Sequence, residues 1–192
     1  MTRSRPISRT KSDVPVPFRD LAAEDEPLVG ILRIMPVLSA GTFSGALLLA
    51  RTNGEPVEFV YNRLDVPVTS LCKPDRLPTF MTVMLVRSLF NALEGTPRWI
   101  AVAAGEVDAE LFEIRIDVHV PVVALAPGGR VDMPGTAWLG TVPPPDEART
   151  AVATLIDSGL AADLLTRTAA ALRDAVARDT LDEPLVGGPA AS

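Results

Sequence analysis

The segment from Gly41 to Tyr61 constrains the fold of this chain more than any other. It reads GTFSGALLLARTNGEPVEFVY, with Asn53-Gly54 between two apolar runs. An Asn-Gly pair in this setting is typical of a two-residue type I′ turn, because both central residues of that turn need positive φ. The segment therefore predicts two antiparallel strands. The expected facing pairs are Thr52 with Glu55, Arg51 with Pro56, Ala50 with Val57, Leu49 with Glu58, Leu48 with Phe59 and Ala46 with Tyr61.

The two strands of this hairpin have different predicted places in a sheet. The first is apolar on both faces from Ala46 to Ala50, which predicts a strand inside the sheet. The second contains Pro56, which has no backbone N–H, and this favours a position at the sheet edge. Glu55 and Glu58 point to opposite faces of the second strand, and we expect both carboxylates to be in solvent.

Hydrophobic periodicity and helix end signals predict the other elements. Strands are expected at 28–37, 98–104, 114–125 and near Trp138, and helices at 76–94, from 146 or 147 to 158, and from there to about Arg178. The predicted fold class is α/β of the α+β type, with a mixed, largely antiparallel sheet, a central β-hairpin, helices packed on the sheet and a C-terminal helical pair. The hairpin–helix–strand segment resembles the roadblock and other profilin-like regulatory domains, without their first helix.

The helix predicted at 76–94 is unusually apolar. Asp75 is a candidate N-cap, Pro78 suits the first turn, and Gly95 is a candidate C′ residue before Pro97. Its predicted polar stripe is narrow and consists of Thr82, Arg87, Asn91 and Glu94. Such a helix needs cover on more than one face, either from its own chain or from another chain.

Composition excludes several classes of protein. The 192 residues include one cysteine and one histidine, so an intramolecular disulfide, a cysteine-cluster metal site and a two-histidine zinc motif are all excluded. We predict no metal site and no cofactor. No apolar run approaches the roughly 20 residues that span a bilayer, and no secretory signal is evident, which favours a cytoplasmic protein. Arginine outnumbers lysine 16 to 2, as is typical of GC-rich bacterial genomes.

Charge and proline content divide the chain into three parts. Residues 1–26 are predicted to form a flexible arm, 27–179 a single domain, and 180–192 a disordered tail. The net charge is −6. The first twelve residues nevertheless carry Arg3, Arg5, Arg9 and Lys11, a basic group that could contact nucleic acid or remain a solvated tail.

The candidate catalytic pair is Asp117 and His119. Two residues apart on a predicted strand, they share one face and could transfer a proton or bind a metal. Glu113 and Arg115 lie on the same face, so the alternative is a solvated strand surface of mixed charge. Cys72, close to a helix N-terminus, is either reactive or a small buried thiol.

The first functional hypothesis is a non-catalytic protein–protein interaction subunit or adaptor of a larger bacterial cytoplasmic complex, or a homo-oligomer. The candidate interface residues are Val14, Val16, Phe18, Phe80, Met84, Trp99 and Trp138, and core packing is the alternative for both tryptophans. The second hypothesis is a small-ligand-binding protein or enzyme that uses Asp117 and His119. The third is a nucleic-acid-associated accessory protein that binds through the basic arm.

Overall fold

The structure, a computed structural model, describes residues 27–37, 41–66, 76–107, 120–125, 137–139 and 144–182. The arm, the tail beyond 182, Cys72, Asp75 and the predicted strand residues from 114 to 119 lie outside the described residues. The elements in the described ranges are β1 Leu28–Val37, β2 Thr42–Arg51, β3 Pro56–Asp65, α1 Leu77–Ala92, β4 Trp99–Ala103, β5 Val122–Leu125, β6 Ala137–Leu139, α2 Asp146–Asp157 and α3 Leu160–Asp182.

The six strands form one mixed sheet in the order β3-β2-β1-β4-β5-β6. Strands β1, β2 and β3 pair antiparallel, β1 pairs parallel with β4, and β4 pairs parallel with β5. Strand β6 returns antiparallel along β5. The predicted fold class is confirmed, with β2 inside the sheet and the proline-containing β3 at its edge.

Successive side chains of the central strands point to opposite faces of the sheet and pack into two separate hydrophobic cores. Val29 and Ile31 of β1 pack on one side of the sheet with residues of α2 and α3, which we call the α2/α3 face. Leu32 and Ile34 point to the other side and pack with residues of α1, which we call the α1 face. The C-terminal helical pair therefore lies on the sheet opposite α1, and it does not cover α1.

The turn of the hairpin differs from the prediction. The Arg51 N–H donates to the Glu55 carbonyl at 2.8 Å, and the Gly54 N–H donates to the Arg51 carbonyl at 2.9 Å. Three residues thus form the turn, with Gly54 at φ +86°, and such turns place an extra residue in one strand. The pairing of Leu49 with Glu58 and of the residues beyond is as predicted, but the register shifts between Leu49 and Ala50, so that Ala50 pairs with Pro56 and Arg51 no longer does.

Two glycines next to α1 lie so close to leucine side chains that a Cβ atom would not fit without a shift. A Cβ on Gly45 would lie 2.8 Å from Cδ2 of Leu85, which is fully buried. A Cβ on Gly95 would lie 2.7 Å from Cδ1 of Leu49. The prediction that Gly95 is the C′ residue of α1 is wrong, because the C-cap is Leu93, and Gly95 is not among the described glycines with positive φ. Glycine suits position 95 because a larger side chain there would overlap with Leu49.

Helix α1 buries one side on the sheet and exposes part of its apolar surface. Met81, Leu85 and Leu89 are buried against the sheet. Phe80 and Met84 are 43% and 47% exposed, whereas Thr82, expected on the polar stripe, is 8% exposed. The chain therefore covers this helix on one side. Arg87, Asn91 and Glu94 are exposed as the polar stripe predicted, and Phe80 and Met84 extend the exposed surface while Thr82 is buried.

Helices α2 and α3 form the predicted C-terminal pair. Helix α2 ends at Asp157, and Gly159 at φ +77° reverses the chain before α3. Leu164 and Leu172 of α3 are fully buried, and α3 continues beyond Arg178 to Asp182. Among the described residues, no helix is both long enough and apolar enough to span a membrane.

Candidate functional site

The sheet reverses its winding direction between β1 and β4. From β1 the chain continues to β2 on one side, and from β4 it continues to β5 on the other side. In open α/β sheets, ligands bind outside the carboxyl ends of the strands at such a switch point. The carboxyl ends of β1 and β4 are therefore the first place in this fold to search for a site.

Arg33 and Glu106 meet at the switch point. Arg33 lies on β1 and Glu106 three residues beyond β4. The Arg33 Nη2 lies 2.7 Å from Glu106 Oε1, and Arg33 Nε donates to Oε1 at 2.9 Å and to Oε2 at 3.1 Å. The two side chains are 19% and 18% exposed, which makes this a partly buried, bidentate ion pair. We call it the switch-point ion pair.

Further hydrogen bonds connect the switch-point ion pair to α3 and to the backbone of β1. Arg33 Nη1 donates to the backbone carbonyl of Leu165 in α3 at 2.8 Å. The Ile34 N–H donates to Glu106 Oε2 at 3.0 Å, just beyond the end of the β1–β4 ladder. Both carboxylate oxygens accept hydrogen bonds from these two residues, so Glu106 is part of the contact that holds β1 to the segment after β4. The arrangement joins β1, the segment after β4, and α3.

A buried hydroxyl lies on the same face of the sheet near this pair. Ser44 of β2 is the Cα partner of Met35 on one side and Arg63 on the other. The side chain is 1% exposed, and within the described ranges its Oγ has no hydrogen-bond partner. The described residues contain no group of three or more His, Cys, Asp or Glu side chains that could hold a metal ion.

The structure places four of the candidate site residues from the sequence. Trp99 is 4% exposed and packs in the α2/α3 core, and Trp138 is half-buried beside the same core. Trp99 is thus a core residue, not an accessible interface residue. Phe80 and Met84 are the exposed large hydrophobic side chains of the described chain. The remaining candidates lie outside the described residues and stay predictions: Arg3, Arg5, Arg9, Lys11, Val14, Val16, Phe18, Asp117 and His119.

An exposed stripe runs along α1. Its members are each three or four residues apart, a spacing that places side chains on one side of a helix. All five are exposed, including Arg76, which is the N-cap residue. We call this surface the α1 stripe; it consists of Arg76, Phe80, Met84, Arg87 and Asn91.

Sequence reasoning missed two buried polar contacts of β3. Glu58, expected in solvent, is 2% exposed and accepts the backbone N–H groups of Glu94 and Gly95. Tyr61 donates its hydroxyl to Asp179 Oδ1 of α3 at 3.1 Å. Burial, followed by this hydrogen bond, raises the pKa of Tyr61 above 10.0. Neither partner could be found from the sequence, because each lies far along the chain.

A weak sequence signal did exist for the switch-point ion pair. Arg33 interrupts an apolar strand between Leu32 and Ile34. A charged residue within a buried strand requires a partner of opposite charge. The sequence offered many acidic residues for that role, and the parallel pairing of β1 with β4 decides that the partner is Glu106.

Comparison with solved structures finds a similar fold. An endonuclease V from Streptomyces avermitilis is 13% identical to this chain, covers 88% of it over 87% of its own length, and superposes with a TM-score of 0.54. An endonuclease V from Bacillus subtilis matches at 16% identity over 52% of this chain and 44% of its own length, with a TM-score of 0.32. At these identities, the first similarity establishes a shared fold, and the second is too low to support an argument.

The sequence itself matches no protein-family model and no curated protein. The structural neighbours give no support to the adaptor or complex-subunit interpretation.

Proposed function

We propose that this protein is a nucleic-acid-associated accessory protein built on a fold like that of endonuclease V. The observation that carries this proposal is the similarity to the Streptomyces avermitilis endonuclease V over 88% of the chain. Among the functions that the sequence leaves open, this similarity favours nucleic acid over a protein adaptor.

The charge distribution limits how such a protein would bind. The net charge is −6, so the molecule as a whole repels a phosphate backbone. Contact with nucleic acid must therefore come from local basic surfaces. The candidate basic group consists of Arg3, Arg5, Arg9 and Lys11.

We assign the switch-point ion pair a structural role, because it joins β1, the segment after β4 and α3. Glu106 follows β4 at the switch point, and Arg33 and the Ile34 N–H donate hydrogen bonds to its oxygens. The alternative is an enzyme that uses Asp117 and His119, which an activity measurement can distinguish.

Fluorescence anisotropy with labelled single-stranded DNA, single-stranded RNA and duplex DNA tests the proposal. We expect the full chain to bind at least one probe, with an affinity that falls as salt rises, because phosphate contacts release counterions. Comparison with a variant that lacks residues 1–12 measures how much the basic arm contributes to the binding affinity. A chain that binds none of the probes at low salt would refute the proposal.

The same probes, incubated with the protein and Mg²⁺ or Mn²⁺, test the accessory role. We expect the probes to remain intact. Cleavage that disappears in His119→Ala or Asp117→Asn would instead establish the enzyme alternative, and cleavage that disappears in Glu106→Gln would identify the switch point as an active site.

A second candidate function is a protein-interaction subunit. The exposure of Phe80 and Met84 favours it, because large apolar side chains at a surface are typical of interaction sites. Size-exclusion chromatography with light scattering of the wild type and of Phe80→Glu tests it. A partner or self-association lost in the variant would support this function.

A further inference from the structure

We propose that the N-terminal arm, residues 1–26, docks its apolar segment 14–18 on the α1 stripe of the same chain. The contact covers Phe80 and Met84 and directs the arm towards the N-terminal end of α1. The docking itself is independent of the proposed function. The role that it gives to the basic group of the arm rests on that function.

The apolar part of the α1 stripe has no cover in the described part of the chain. Phe80 and Met84 lie one helical turn apart and are 43% and 47% exposed. Helices α2 and α3 pack on the opposite face of the sheet. A cover for this pair must therefore come from a segment outside the described ranges or from another chain.

The arm joins the described structure beside the C-terminal end of α1. Leu28, the first residue of β1, belongs to a buried cluster against which Leu93 packs. A Cβ on Gly95 would lie 3.5 Å from Cδ1 of Leu28. The segment that precedes Leu28 therefore starts next to the end of α1.

The arm is long enough to reach the apolar pair. Phe18 precedes Leu28 by ten residues, and an extended chain of that length spans up to about 33 Å. Along α1, Met84 and Phe80 lie roughly 14 and 20 Å from Leu93, at a rise of about 1.5 Å per residue. The arm can therefore pass both side chains without being fully stretched.

Segment 14–18 has a composition that suits packing on an apolar surface. It reads Val-Pro-Val-Pro-Phe and contains no charged residue. The proline rings fix φ, and a residue before proline avoids the helical region, so this sequence favours an extended backbone before it binds. Such a segment loses less conformational entropy on docking than a chain without prolines. Its length of roughly 12 Å is sufficient to cover two side chains that are one helical turn apart.

The direction of α1 leads a docked arm towards the switch point. Gly95, just beyond α1, lies beside Leu28 at the start of β1. Leu85, further back in the helix, lies against Gly45, which is the Cα partner of Ile34 near the end of β1. Helix α1 therefore runs antiparallel to β1, and its N-terminal end lies towards the carboxyl end of that strand.

Docking in this direction places the basic group of the arm near the ligand-binding edge of the sheet. Lys11 precedes Val14 by three residues, and the three arginines of the group lie further towards the N-terminus. The switch-point ion pair joins one positive and one negative side chain and so contributes no net charge at this edge. The docked arm supplies positive charge for a phosphate backbone there.

Limited proteolysis of the full chain with trypsin tests the docking. Arg19 directly follows the docked segment, whereas Lys11 lies outside it. We expect slower cleavage after Arg19 than after Lys11 in the wild type. Phe18→Ala and Phe80→Glu should each accelerate cleavage after Arg19 about tenfold, because each removes apolar contact from the docked state. Cleavage after Lys11 should not change.

A matched control separates the docking from a general effect of charge. Ala177→Glu adds the same negative charge as Phe80→Glu, but at an exposed position of α3. It should leave both cleavage rates as in the wild type. Equal rates at Arg19 and Lys11 in the wild type, or an Arg19 rate that Phe80→Glu does not change, would overturn the docking. Protection that appears only at high protein concentration would assign the cover to another copy of the chain and would also overturn it.

Binding of a labelled oligothymidylate tests the role of the basic group. We expect Phe80→Glu to weaken binding about threefold to tenfold, because a docked arm presents its charges at a higher effective concentration. In a chain that lacks residues 1–12, Phe80→Glu should have no further effect. A further loss in that truncated chain would overturn the role of the basic group. Protection of Arg19 without binding of any nucleic-acid probe would overturn the proposed function and leave the docking in place.

Discussion

The Glu58 carboxylate of β3 accepts the backbone N–H of Gly95, with 3.0 Å between Oε2 and N. The preceding N–H, that of Glu94, also donates to this carboxylate, at 3.1 Å to Oε1. A buried side chain of the edge strand thus satisfies two consecutive donors just after α1. The contact joins the end of α1 to the sheet edge, which keeps the helix and its exposed stripe in place.

Replacing Glu58 should destabilise the protein. Glu58→Ala leaves two backbone donors without their acceptor, which we expect to lower the free energy of unfolding by about 2 kcal/mol. Urea unfolding measures this change. The control is Glu55→Ala, because the Glu55 carboxylate is 54% exposed in its pair with Arg51 and should contribute less than about 1 kcal/mol. Equal losses in the two variants would contradict the structural role of Glu58.

The switch-point ion pair should show strong coupling. In a double-mutant cycle with Arg33→Met and Glu106→Gln, we expect a coupling energy of about 1–3 kcal/mol, because the two side chains share one hydrogen-bonded network. The comparison pair is Arg167 with Asp163 on α3, at 2.8 Å but with the side chains 45% and 53% exposed. Its coupling should be below about 1 kcal/mol. Additive effects at Arg33 and Glu106 would show that the pair does not join the sheet to α3.

Tyr61 should make stability depend on pH in alkali. Its pKa in the folded protein is raised above the ordinary value of 10.0, first by burial and then by the hydrogen bond to Asp179. The folded state therefore prefers the protonated phenol. Its contribution is complete below pH 10.0, the unfolded value, and is lost as pH rises through the folded pKa.

A direct titration can check this shift. Tyr61 is the only tyrosine in the chain, so the near-ultraviolet absorbance of tyrosinate reports on this residue alone. We expect a midpoint above 10.0 in the folded protein, and a lower midpoint in Asp179→Asn, which removes the carboxylate charge. Tyr61→Phe should abolish the titration. A midpoint in the folded wild type that equals the value in urea would contradict the prediction.

Ser44 should tolerate loss of its hydroxyl. Since its buried Oγ has no hydrogen-bond partner in the described chain, Ser44→Ala removes an uncompensated polar atom. The unfolding free energy should stay constant or rise by up to about 1 kcal/mol. The control is Thr168→Val, which removes a buried hydroxyl that does donate, to the Leu164 carbonyl at 2.7 Å. A loss at Ser44 larger than that at Thr168 would show that the serine has a partner.

Local sequence signals gave most of the elements correctly. The apolar run of β2, the proline of β3 and the Ser158-Gly159 break between α2 and α3 each act within a few residues, and each was read correctly. The type of the hairpin turn was predicted wrongly. An Asn-Gly pair is compatible with more than one turn, and the turn adopted here places the extra residue in β3.

The candidate site was much less predictable, because its contacts join distant parts of the chain. Arg33 and Glu106 are 73 positions apart, and Tyr61 and Asp179 are 118 apart. Glu58 was expected in solvent since a strand pattern defines its face but not what covers that face. The loop after α1 covers it.

The sequence by itself determined the period and length of the strands and helices, because backbone geometry and hydrophobic spacing act over a few residues. The tertiary structure decided what covers each element and which apolar residues of α1 stay exposed. Thr82 is buried while Phe80 and Met84 are exposed, although polarity alone predicts the reverse for these three residues. The close approach of Gly45 to Leu85 helps to fix how α1 sits on the sheet, and this packing leaves the α1 stripe at the surface.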